Sequence, residues 1–393
     1  MRKLSVLLLF LLAIHGHAQR CIKQSDKLIG EKKYRSAWDL LEKADPSNKE
    51  PAIVLAKTDL LLTGFVNTAM HQVFTLNNLQ PNEKPEDYRG KDVNGDLIKF
   101  DPGAVLDTLI KKYPDNYQLY EALGNYYYQV FLIFQENWLK KPEELVHLIL
   151  DNYTKSYTHG NKTYLAAYRI GFAQLFLQQF AEAQKSFIES VKLNQKYPDA
   201  YYSLAYSSLQ LGNSDSALLC ANKAFELFTD TFNRSDVQLL RGMIYSTKKD
   251  TAASLHEYSE AARLNPKNQS MSQLLLKAEF RYNGKEVDAV TSSYFDLGPR
   301  DAETYNEIIT DYFNANRPKD VLVFLEQKLT QYANDPEVIG DICFYRAYVY
   351  VVMEDKEKAK ADLIRAKENF SKVFPPSHQM FSTIEDAMKE LQK

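Results

Sequence analysis

Tyr168-Arg169-Ile170-Gly171-Phe172 and Tyr202-Ser203-Leu204-Ala205-Tyr206 state one pattern twice, 34 residues apart. Each is followed at matching offsets by a small residue (Ala183, Ala217), a packing position (Phe187, Ala221) and a second small residue (Ser190, Ala224). That spacing is the period of a helix–turn–helix repeat. Small residues let two helix axes approach closely, and large ones fill the space beside them. No single pair can bury its apolar face, so at least three must stack.

Working outward, the same register recurs. A third copy reads Gln238, Arg241, Gly242, Tyr245, Ser254, Tyr258, Ala261 and Pro266. A fourth reads Cys343, Arg346, Ala347, Tyr350, Ala359, Leu363 and Ala366. Weaker copies include Tyr120-Leu123-Gly124-Tyr127, Leu274 with Ala278 and Tyr294, and Tyr305-Ile308-Tyr312 with Val321 and Leu325. Tyr34, Ala37, Leu41 and Ala44 read as a second helix whose first is 22–28.

The pattern resembles the tetratricopeptide repeat (TPR) family. That family wants a large residue at position 4 of each unit, an aliphatic at 7 and a small residue at 8. A large residue follows at 11, then small, large and small residues at 20, 24 and 27. The resemblance implies an all-α, right-handed superhelical solenoid of about seven helix pairs. It predicts TPR-like helices over 19–115, an array over 116–370 and a capping helix over 371–393. The cap would carry Phe381, Ile384, Ala387, Met388 and Leu391 on one face.

Two stretches depart from the pattern. Between about 63 and 101, Asn94-Gly95 flanked by Val93 and Leu97-Ile98 predicts a hairpin with a type I′ turn. Asp92, Asn94 and Asp96 alternate as in a calcium loop, but Leu97 and Gly103 stand where that loop needs Gly and Glu. Asp101-Pro102 then predicts a helix start, with Asp as N-cap and Pro at the first helical position. The second departure, 129–159, overlaps an aromatic run (Tyr126, Tyr127, Tyr128, Phe131, Phe134, Trp138) and reads as lengthened helices that add core, the alternative being an exposed partner-binding ridge.

Composition narrows the function. The formal net charge is −3 and no block of Lys or Arg occurs, which argues against nucleic acid as a partner. Met1-Arg2-Lys3, the apolar run Leu4 to Ile14 and Gly16-His17-Ala18 read as a signal peptide over 1–18. The expected location is therefore periplasmic or extracellular. Arg20 before Cys21 fits a lipid-attachment motif poorly, so no lipid anchor is expected there. Cys220 and Cys343 fall at packing positions.

No nucleophile elbow, phosphate loop or zinc-binding helix motif is present, and the histidines never pair at helical spacing. The expectation is a non-enzyme with no cofactor and no metal. The resemblance instead implies a binding groove lined by positions 2, 5, 9, 12 and 13 of each first helix. In the three central copies these positions include Tyr168, Phe172, Phe176, Tyr202, Tyr206 and Met243. An aromatic wall of that kind implies an extended or helical peptide partner. The Lys and Asn that some family members use to clamp a C-terminal carboxylate are replaced here by Tyr168, Phe172, Tyr202 and Tyr206. The function expected is a scaffold or adaptor for protein partners. The alternative is a glycan- or nutrient-binding protein on the same scaffold.

Overall fold

The computed structural model describes residues 16, 18–91, 95–134 and 140–392. Within them the chain is almost wholly helical, with one small sheet. It divides into two compact units, Met1–Leu227 and Phe228–Lys393.

The first unit opens with α1 (18–30) and α2 (Tyr34–Ala44). Helices α3 (Pro51–Gly64) and α4 (Pro102–Lys112) follow, with the insertion between them. Three pairs complete the unit. They are α5 (Tyr117–Phe134) with α6 (Pro142–Thr158), α7 (Tyr164–Phe176) with α8 (Phe180–Leu193), and α9 (Pro198–Gln210) with α10 (Ser214–Leu227).

The second unit holds α11 (Thr231–Thr247) with α12 (Thr251–Leu264) and α13 (Gln269–Arg281) with α14 (Val287–Leu297). It continues with α15 (Ala302–Asn314) and α16 (Pro318–Gln331), then α17 (Pro336–Val352) and α18 (Lys356–Phe370). The closing helix is α19 (Gln379–Leu391), which buries Phe381 and Ile384. The described residues thus form nine pairs and a closing helix. The sequence suggested about seven, because the insertion separates α3 from α4 and hides that they belong together.

In three pairs, position 8 of the first helix is a glycine that fits beneath an aromatic ring of the second. Phe187 lies so close to Gly171 that an added Cβ would meet its ring at 2.7 Å. The same holds for Gly242 under Tyr258 at 2.5 Å and Gly124 under Tyr153 at 2.8 Å. In α9–α10 the corresponding residues, Ala205 and Ala221, are both small and both fully buried. A ring therefore sits opposite glycine, and a methyl opposite a methyl, so the summed volume suits close packing.

The turn is equally regular inside α7–α8, α9–α10, α11–α12, α15–α16 and α17–α18. Gln178, Gly212, Lys249, Asn316 and Glu354 all have φ between 56° and 78°. The next residue's N–H closes the first helix in a Schellman arrangement, as in Gln179 N–H to the Gln174 carbonyl at 2.8 Å and Asp355 N–H to the Tyr350 carbonyl at 2.9 Å. Only Gly212 suits the left-handed region without a Cβ penalty. Gln178→Gly, Lys249→Gly and Glu354→Gly should therefore each raise stability by about 0.5–1 kcal/mol. Gly212→Gln should lower it by a similar amount, with urea midpoints as the readout.

Within the described residues the insertion forms a small sheet. Strands β1 (Asn67–Ala69), β2 (Val73–Thr75) and β3 (Ile98–Lys99) form an antiparallel sheet in the order β1-β2-β3. The tight turn joins β1 to β2. Met70 and His71 take φ of 51° and 49°, and Gln72 N–H donates to the Ala69 carbonyl at 3.0 Å. The turn expected at Asn94-Gly95 falls partly outside the described residues, as do the candidate calcium ligands Asp92 and Asn94. Phe74, Ile98 and Phe100 bury the sheet against the helical core, with Trp38 edge-on to Phe100 at 5.6 Å. This hydrophobic anchoring holds a turn that lacks the residues such turns favour. Asp101 caps α4 as expected, its carboxylate accepting from Ala104 N–H at 3.1 Å.

Candidate partner-binding surfaces

In the first unit the aromatic residues at groove positions are largely used up in packing. Tyr168 is buried, 5.7 Å from Phe187 and 5.1 Å from Tyr197 between ring centroids. Burial pushes its phenol well above the ordinary tyrosine range, so it stays neutral. Phe172 is half-buried, because Tyr128 and Phe131 of α5 stand edge-on to it at 5.0 and 5.9 Å. Phe176 also meets Phe131, at 4.9 Å, but remains 46% exposed. Tyr202 and Tyr206 are partly exposed.

Arg169 seals the inner end of this cluster, its guanidinium 3.5 Å from the Tyr128 ring centroid. The aromatic run of α5 therefore adds core, as expected, and in doing so covers part of the predicted wall. Trp138 of that run lies outside the described residues. Met243 belongs to the second unit, where it is exposed on α11.

The second unit carries an open apolar surface outside the three central copies. A cleft of about 520 Å³ is lined by Phe344, Tyr348, Val351, Leu363, Ala387 and Leu391, among others. Tyr348 is 58% and Val351 44% exposed, with Val352 beside them at 48%. Helix α19 supplies one wall and α15 another, through Ile309 and Thr310. Numbering the fourth copy from Ala347 as position 8 places Phe344, Tyr348, Val351 and Val352 at positions 5, 9, 12 and 13. These are groove positions, so the signal was present in the sequence.

One end of the α17 face is acidic. Asp341 lies one turn before Phe344 and Tyr345 on the same helix face. The Tyr345 ring stacks on Tyr305 at 4.4 Å. Burial, then Glu337, pushes the Asp341 carboxyl up to about 7, and Arg300 opposes this only in part. Arg300 is engaged by Asp335 and by Glu337, the latter at 2.9 Å.

A carboxyl with a folded pKa near 7 and an unfolded one near 4 lowers stability progressively as pH rises between those values. Asp341→Asn should therefore raise stability by about 1–2 kcal/mol at pH 8, allowing for partial exposure. The gain should shrink below pH 7 and vanish near pH 4, as followed by urea denaturation across that range.

Recurrent stacked helix pairs define an all-α helical-repeat architecture. The family model of the tetratricopeptide repeat matches residues 198–231 and 235–268, covering α9–α10 and most of α11–α12. Over these two pairs the chain matches the tetratricopeptide repeat, and the flanking pairs are likewise antiparallel helix pairs.

Among solved structures, MamA is 19% identical, with 42% of this chain and 86% of that one covered and a TM-score of 0.36. A tetratricopeptide repeat protein from Parabacteroides merdae is 16% identical, with 70% and 99% covered and a TM-score of 0.39. YrrB, described as a TPR protein with an unusual peptide-binding site, is 15% identical, with 51% and 94% covered and a TM-score of 0.38. No curated protein matches the chain. Among the described residues no helix is long and apolar enough to cross a membrane.

Proposed function

We propose that this protein is an exported, non-catalytic scaffold or adaptor that holds a segment of a partner polypeptide against its first-helix faces. The observation that carries this reading is the second-unit cleft, where Tyr348 and Val351 stay exposed beside Phe344, Leu363, Ala387 and Leu391. A cleft of this size suits a short amphipathic segment. The basic, apolar start of the chain supports export to the periplasm or beyond. In the first unit Phe176, Tyr202 and Tyr206 offer a second contact surface, and Met243 offers another on the second unit.

The test is affinity purification of the mature protein from its native envelope, with quantitative mass spectrometry. Tyr348→Ser combined with Val351→Ser should cut recovery of the bound partner on the order of 100-fold, as removal of two exposed anchors implies. Far-UV circular dichroism should be unchanged. Undiminished recovery by a folded variant would move the site to Phe176, Tyr202, Tyr206 and Met243. A quadruple serine variant there then decides whether first-helix faces bind at all.

A further inference from the structure

Phe344, Tyr345, Tyr348 and Val351 of α17 line the apolar cleft of the second unit, with Lys356 and Glu390 also at its wall. Asp341 stands one turn before Phe344 and Tyr345 on the same helix, just beyond the lining residues. Asp341 makes no hydrogen bond or ion pair among the described residues, although it is half-buried beside Tyr305 and Tyr345. The nearest cation, Arg300, is already paired with Asp335 and Glu337. A half-buried carboxylate is costly unless something pairs with it. Charge complementarity therefore selects the occupant. From Asp341 to Val351 the helix rises about 15 Å, enough to face roughly ten helical residues of a partner.

We propose that the cleft receives an apolar segment of a partner polypeptide that carries a lysine or arginine at the end facing Asp341. This rests on the cleft being the binding surface and adds the charge its occupant must bear. The cation would replace the solvation that Asp341 loses, and the apolar stripe would cover Phe344, Tyr348 and Val351. Binding would favour the ionised carboxylate and release a proton, since burial otherwise raises its affinity for one. The charged and titratable groups around Asp341 are Asp335 and Glu337 at the start of its own helix, Arg300 from the loop between α14 and α15, and the phenols of Tyr305 and Tyr345.

Three fluorescent 14-residue helical peptides with blocked ends test the proposal. Each carries leucines at i, i+3 and i+7 and, one turn before the first, lysine, norleucine or glutamate. Fluorescence anisotropy with the mature protein at pH 8 should show the lysine peptide binding at least ten times more tightly than the norleucine peptide, and the glutamate peptide most weakly. The lysine advantage should shrink below pH 6. Asp341→Asn should bring the lysine and norleucine peptides within twofold of each other while the norleucine affinity holds. Glu337→Gln should leave most of the discrimination in place.

Equal binding of all three peptides to the wild-type protein would overturn the charge assignment while leaving the cleft as a binding surface. Failure of every peptide to bind, or self-association of the protein that Tyr348→Ser abolishes, would overturn both.

Discussion

Asp362→Ala should cost about 3 kcal/mol of stability, among the largest losses available from a single charged side chain in this protein. Arg346 and Asp362 are 6% and 5% exposed and meet in a two-pronged pair, Nε and Nη2 each donating to a carboxylate oxygen at 2.7 Å. Glu326 also accepts from Arg346. Burial disfavours the guanidinium's charge most strongly, but the bonds from Asp362 outweigh it and hold Arg346 above its ordinary range. Removing Asp362 leaves a buried cation with only the partly exposed Glu326 as partner. The double change Arg346→Met with Asp362→Leu should recover most of the loss, because well-packed apolar groups of similar volume replace a buried pair at little net cost. Urea denaturation of the two variants side by side decides the matter. Equal losses in both would show that the pair is not held together by its charge.

The second large effect concerns the glycines beneath aromatic rings. Glycine inside a helix is about 1 kcal/mol worse than alanine, so Gly171→Ala would ordinarily stabilise. Here the new methyl would meet the Phe187 ring at 2.7 Å, and overpacking of this kind typically costs about 1–3 kcal/mol. The substitution should therefore lower stability, as should Gly242→Ala against Tyr258. Phe187→Ala alone should cost about 3–5 kcal/mol through the cavity it opens. Combined, Gly171→Ala and Phe187→Ala recreate the Ala205–Ala221 pairing of the next repeat. The combined loss should fall short of the sum by about 1 kcal/mol or more. Strict additivity in a double-mutant cycle would show that ring and glycine are not coupled.

These two contacts also show what was readable in the chain. The repeat period rests on local volumes, so the pairs from α7 to α12 and α17–α18 were plain from residue size alone. Arg346 stands where the repeat pattern wants an aliphatic residue, and its partner Asp362 is sixteen residues on. Arg241 breaks the rule in the same way and meets Glu257, again sixteen residues on, at 2.7 Å. The exception thus carries its own compensation at a fixed offset, a signal that becomes visible once two copies are compared.

Exposure was harder to read. That Tyr128 and Phe131 would cover Phe172 depends on how α5 lies against α7, and no periodicity within either helix encodes that. The insertion hid the β1–β2 hairpin because Met70-His71 has none of the usual turn chemistry. Numbering only the three central copies left Phe344, Tyr348 and Val351 unremarked, although their positions follow the same rule.

The matching of ring to glycine and methyl to methyl also sets the smallest piece of this protein that can be exchanged. Transplanting α8 in place of α10 would drive Phe187 into the Cβ of Ala205. The reverse transplant would leave Ala221 facing the bare backbone of Gly171, with a ring-sized hole between them. Duplication or recombination that cuts at the loops between pairs carries each complementary set along intact, whereas a cut at the turn within a pair separates the halves. Lineages of this chain should therefore lengthen, shorten and shuffle in whole helix pairs, and chimaeras joined at Gln195–Lys196 should fold where those joined at Gln178–Gln179 do not.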